Sequence, residues 1–163
     1  MSTVPTLPGI TSKMIDPPRL KIHALFSGVE SATPVIFIHG NASSATFWEQ
    51  VMLKLPAQFC GIAPDLRGYG DTEDKLIDAT RGLSDWADDI AVFAQALGLK
   101  KYHLVGHSLG GMLMYTLVPL AGAAVLSVTL VDPGSPFGFG GTKDVDGTPC
   151  ADDFAGSGGG WTA

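Results

Sequence analysis

Gly106-His107-Ser108-Leu109-Gly110 closes the short run Tyr102-His103-Leu104-Val105 and opens an apolar stretch, and no other segment limits the fold so tightly. Glycines two residues before and after Ser108 suit a strand that reverses sharply into a helix, where the backbone crowds its own turn and only small residues fit. Lys101–Val105 reads as a short buried strand and Leu109–Leu120 as a helix covered on most sides. The serine hydroxyl then stands clear of the sheet, and the helix start aims free N–H groups and its positive dipole end at whatever binds there. The pattern makes Ser108 a candidate nucleophile and the Leu109 N–H a candidate oxyanion donor. The alternative is an ordinary glycine turn with Ser108 as a helix N-cap.

A second strand, Pro34–Ile38, leads into His39-Gly40-Asn41-Ala42-Ser43-Ser44 and a helix containing Phe47 and Trp48. A third block, Ala63-Pro64-Asp65-Leu66-Arg67-Gly68-Tyr69-Gly70-Asp71-Thr72, follows another strand. In order and separation, the three blocks resemble the α/β-hydrolase superfamily, with its His-Gly-x loop, its Asp-x-Arg-Gly-x-Gly segment and its Gly-x-Ser-x-Gly elbow. The resemblance covers roughly residues 19–133. It implies that the Asn41 backbone N–H is the second oxyanion donor. Two such donors are worth a few kcal/mol each where charge develops on an oxygen. Asp65 and Arg67 are expected to form a structural ion pair, and His39 to hold its loop by a local hydrogen bond.

Elsewhere, an extended N-terminal arm precedes a strand over 19–26, with Leu20, Ile22 and Ala24 alternating and His23 on the other face, at the surface or hydrogen-bonded. Helix 44–55, strand 59–63, a helix from Ser84 to Gly98, strand 101–105, helix 109–121 and strand 125–131 complete the alternation. Asp85, Asp88 and Asp89 suit the dipole at a helix start, while Trp86, Ile90, Phe93, Ala94 and Leu97 make one apolar stripe for the core. Alternating strands and helices predict an α/β fold, a mostly parallel sheet with helices on both faces. Catalytic loops then gather at the carboxyl ends of the strands, where 39–44, 106–109 and Asp132 all fall.

With 163 residues, 45% of them hydrophobic, the chain can bury one modest core. A net charge of −6 without a basic cluster argues against nucleic acid and anionic membrane as partners. Met1–Ile15 lacks the apolar run of a secretory signal, and Met112–Leu126 is interrupted by Pro119 and Gly122, so a cytoplasmic protein is expected. Cys60 and Cys150 have neither metal spacing nor the look of a disulfide framework, and the chain carries no P-loop. No cofactor and no metal are expected.

Residues 1–133 read as the N-terminal part of the core. From Pro133 the periodicity gives way to glycine, so 134–163 reads as a glycine-rich loop or the start of a lid. The superfamily places its catalytic histidine after the last strand, which leaves the sheet incomplete on the C-terminal side. None of His23, His39, His103 and His107 stands where that base belongs. Asp132 is the candidate acid, and it is equally a turn former before Pro133. The His-Gly-Asn loop also resembles that of haloalkane dehalogenases, but those use an aspartate nucleophile where Ser108 stands. The expectation is a serine hydrolase acting on a carboxylic ester or lactone. Its histidine, and its acid where Asp132 is not that residue, are supplied by a C-terminal portion outside this chain, either docked as a cleaved fragment or lost by truncation. This chain alone is expected to be inactive. Alternatives are an amidase, C–C hydrolase or perhydrolase of the same fold, or a non-catalytic binding module.

Overall fold

The alternation read from sequence is realised as one mixed sheet, described for residues 6–134 in a computed structural model. The strands are β1 (Thr11–Ile15), β2 (Ile22–Ser27), β3 (Thr33–Ile38), β4 (Phe59–Pro64), β5 (Tyr102–His107) and β6 (Val125–Val131), and the α-helices are α1 (Glu49–Met52), α2 (Ser84–Ala96) and α3 (Leu109–Ala121). The sheet order is β1-β2-β4-β3-β5-β6. β4, β3, β5 and β6 run parallel, while β1 and β2 are antiparallel to their neighbours. The glycine-rich segment beyond Gly134, with Cys150, lies outside the described residues.

Period-two alternation sends the central strands' side chains to opposite layers. Ile36, Ile38 and Leu104 pack with Ile90, Leu113 and Leu117 of α2 and α3. Val35 and Phe37 face the other way, onto Ala45, Trp48 and Met52, with the Phe37 and Trp48 rings 5.2 Å apart. Of the apolar stripe on α2, Ile90, Phe93 and Ala94 are buried, as expected of core positions. β6 is the edge on the parallel side of the sheet, and Leu126 and Leu130 on it remain 47% and 41% exposed.

Two elements differ from expectation. Residues 11–15, read as an arm, form the edge strand β1. Most of its side chains are exposed, so it carries no apolar alternation to betray it, and pairing with β2 supplies the order. The helix expected over 44–55 is a 3-10 turn, Ala45–Trp48, followed by the single turn of α1. Tight bonds from Lys54 to Val51 and from Leu55 to Met52 then lead to Pro56, whose ring disfavours helix in the residue before it.

Candidate active site

Ser108 joins β5 to α3 at φ 50°, ψ −111°, a conformation that side-chain-bearing residues rarely adopt and that persists only when the surroundings over-determine it. Its N–H donates to the Val131 carbonyl at 3.1 Å, and its own carbonyl accepts from the Met112 N–H at 3.0 Å. The flanking glycines are sterically required. A Cβ on Gly106 would lie 2.5 Å from the Gly110 carbonyl oxygen, and one on Gly110 would lie 2.4 Å from that of Ile38. The crowding predicted within the five-residue pattern is therefore present, and it extends to the end of β3.

The loop after β3 passes directly beside the serine. A Cβ on Gly40 would lie 3.1 Å from Ser108 Cβ. Asn41 is the next residue in that loop, and Leu109 opens α3, where the first N–H groups have no intrahelical acceptor. Among the described residues neither N–H donates a hydrogen bond. The fold thus brings Ser108, Asn41 and Leu109 together at the carboxyl edge of the sheet.

His39 is fully buried and holds this loop from within. Its Nε2 accepts from the Leu66 N–H at 3.0 Å, which puts the ring proton on Nδ1, where it donates to the Gly40 carbonyl at 2.8 Å. Burial pushes its pKa below the usual value, in keeping with a neutral ring. The local hydrogen bond expected of it is present.

The expected Asp65–Arg67 ion pair is not formed. Asp65 instead pairs with His23, whose Nδ1 lies 2.7 Å from Asp65 Oδ2, and also accepts the Ala45 N–H at 2.6 Å and the Asp71 N–H at 3.0 Å. Arg67 turns to α2, where its Nε and Nη2 each reach a carboxylate oxygen of Asp89 at 2.7 Å. The reason is topological: β2 runs antiparallel to β4 and carries His23 to the Asp65 end, while the side chain of Arg67 lies towards α2. Burial pushes the Asp65 carboxyl up, but the His23 hydrogen bond and the two N–H groups outweigh it and hold it below the ordinary range. The same bond to Asp65 raises His23 despite its burial.

Ser12 Oγ lies 2.7 Å from His23 Nε2, so Ser12, His23 and Asp65 have the connectivity of a nucleophilic triad. Ser12, however, sits within edge strand β1 and not at a strand-to-helix turn like that of Ser108. Both ring nitrogens of His23 have a partner, so the hydrogen-bonded alternative for this residue is realised.

No histidine is hydrogen-bonded to Ser108 among the described residues. His103 bonds Ser127 at 2.7 Å. His107 stacks on Phe47, ring centroids 4.9 Å apart, with its Nδ1 buried and without a partner among the described residues. Asp132 follows β6 at φ 45°, one residue past the carbonyl that receives the Ser108 N–H. Among the described residues no His, Cys, Asp and Glu cluster is placed to hold a metal ion, and no helix is long and apolar enough to cross a membrane. Sequence reasoning passed over Tyr69, whose hydroxyl donates to Asn41 Oδ1 at 2.6 Å. The one signal available was a bulky aromatic between two glycines in a turn.

Comparison with known proteins agrees with this geometry. The chain is 37% identical over 109 residues to the dihydrolipoyllysine-residue acetyltransferase component of an acetoin cleaving system from Cupriavidus necator, covering 67% of this chain and 28% of that one. It is 32% identical over 123 residues to 2-(acetamidomethylene)succinate hydrolase from Mesorhizobium japonicum, covering 74% and 42%. The structure of the epoxide hydrolase CorEH superposes with a TM-score of 0.69 at 28% identity, over 76% of this chain and 42% of that one. The chain thus spans less than half the length of each of these relatives. Residues 33–148, more than half of the chain, match the model of the alpha/beta hydrolase fold, and it is to that family that the chain belongs.

Proposed function

We propose that the chain is the nucleophile-bearing part of a serine hydrolase that cleaves a carboxylic ester or lactone through an acyl-enzyme on Ser108. The observation that carries the reading is the strained Ser108 backbone between β5 and α3, with the Gly40–Asn41 loop packed against its Cβ. In this reading Ser108 Oγ adds to the substrate carbonyl, and the Asn41 and Leu109 N–H groups receive the developing oxyanion. The C–O bond to the leaving group then breaks, and the leaving alkoxide takes up the proton that a base removed from the serine. Water cleaves the acyl-enzyme by the same route in reverse.

Hydrolase relatives support hydrolysis in general, and the identity of residue 108 narrows it. A serine that opened an epoxide would be left as an ether, which water does not cleave under these conditions, whereas a serine acylated by an ester is released by hydrolysis. Ser108 therefore favours acyl transfer over epoxide opening.

The base comes from a C-terminal portion of the same protein, docked along β6. All four histidines of this chain are otherwise engaged or are not bonded to Ser108, and the apolar edge at Leu126, Val128 and Leu130 is the surface such a portion would cover. Asp132, beside the end of β5, is the acid that would orient the base. The test is a fluorophosphonate probe applied to the complete gene product, with the labelled residue mapped by mass spectrometry. Adduct on Ser108, absent in Ser108→Ala, is expected; a folded product that refuses the probe favours a non-catalytic binding module.

A further inference from the structure

The loop that carries Asn41 is held from outside by one short segment, Asp65–Tyr69. Leu66 donates its N–H to His39, the Asp65 carboxylate accepts the Ala45 N–H, and Tyr69 reaches the middle of the loop through its hydroxyl. The Tyr69 ring also meets the His39 ring edge-on, centroids 5.2 Å apart. Between these points of attachment lies Ala42 at φ 50°, a left-handed conformation that costs a residue with a Cβ and is kept only under constraint. Turning over the Asn41–Ala42 peptide would return Ala42 to a relaxed φ and disturb the peptide that carries the Asn41 N–H. Of the three hydrogen bonds, only the one from Tyr69 acts on Asn41 itself.

We propose that Tyr69 is a positioning residue for the oxyanion site: its hydrogen bond to the Asn41 side chain keeps the loop in the strained form that aims the Asn41 N–H at the reacting carbonyl. The inference rests on the acyl-transfer reading of Ser108. Removing one hydroxyl, with its ring left in place on His39, should slow the chemical step more than it weakens substrate binding, since the donor matters most once charge has moved onto the oxygen.

The experiment compares wild type, Tyr69→Phe, Asn41→Ala and the double variant of the complete gene product, with p-nitrophenyl acetate as the probe. Tyr69→Phe is expected to lower kcat about fivefold, the worth of one neutral hydrogen bond, with KM nearly unchanged. The same substitution made on Asn41→Ala should add almost nothing, because the acceptor is already gone. Amide hydrogen exchange should accelerate in the peptide spanning 40–45 and nowhere else. Wild-type kinetics for Tyr69→Phe in an active protein overturn the proposal alone, as do multiplying effects of the two substitutions or exchange that rises throughout the chain. A wild-type protein inert at Ser108 overturns the acyl-transfer reading and the kinetic role of Tyr69 with it.

Discussion

Gly110→Ala puts the smallest possible side chain between the Ser108 turn and the loop that carries Asn41. The new Cβ would lie 2.4 Å from the Ile38 carbonyl oxygen and 2.7 Å from that of His39, where ordinary contact begins at 3.4 Å. Both obstacles are backbone, so α3 and the 38–41 segment must separate by about 1 Å, the difference between 3.4 and 2.4 Å. Overpacking of this kind costs about 1–3 kcal/mol, partly offset by up to about 1 kcal/mol from the better helix propensity of alanine. A net loss of about 1–2 kcal/mol in urea denaturation is expected. Displacing a catalytic group by about 1 Å costs about a hundredfold in rate, so fluorophosphonate labelling of Ser108 should slow by that factor although residue 110 touches no substrate. Labelling within a few-fold of wild type would refute the reasoning, because the loop could then move relative to the serine without consequence.

Ser108→Gly should abolish labelling yet stabilise the fold by about 1 kcal/mol, since relief of the strained backbone exceeds the added freedom of the unfolded chain; an unchanged or lower urea midpoint would show that no strain is stored there. Arg67→Lys keeps the charge but loses the two-point grip on buried Asp89 and the 2.9 Å bond to the Leu76 carbonyl, so a loss of about 3 kcal/mol is expected by denaturation, and a loss below about 1 kcal/mol would contradict it. The His23–Asp65 pair predicts a defined pH window. Asp65, depressed below 3.8, contributes stability above that value and loses it as pH falls through its folded pKa, while His23, raised above 6.5, contributes below that value and loses it as pH rises through its folded pKa. Buried neutral His39 acts in the opposite sense as pH falls below 6.5, so the readout is the stability difference between wild type and His23→Gln. That difference should be larger at about pH 5 than at about pH 9, and a pH-independent difference would dispose of the pair.

How much of this was legible in the chain depended on how far the cause lay from the residue. The elbow was readable because the crowding that demands Gly106 and Gly110 acts within five residues and survives any arrangement of the rest. β1 was not, because an exposed edge strand takes its order from hydrogen bonds to β2 and leaves no apolar alternation behind. The helix after Ser44 was overextended because Phe47, Trp48, Val51 and Met52 have helical spacing, whereas Pro56 and the Asp65 carboxylate on the Ala45 N–H limit the turn to its observed length.

Sequence by itself determined the strand-turn-helix at Ser108, the alternation that builds a mostly parallel sheet, and the nearness of the candidate site loops to strand ends, all of which follow from periodicity and backbone sterics. Only the tertiary structure decided that Asp65 answers to His23 rather than Arg67 and that Tyr69 grips Asn41. Those pairs are separated by 42 and 28 residues. Their partners are chosen by the antiparallel setting of β2 on β4 and by the meeting of two loops at the sheet's carboxyl edge, which no local pattern encodes.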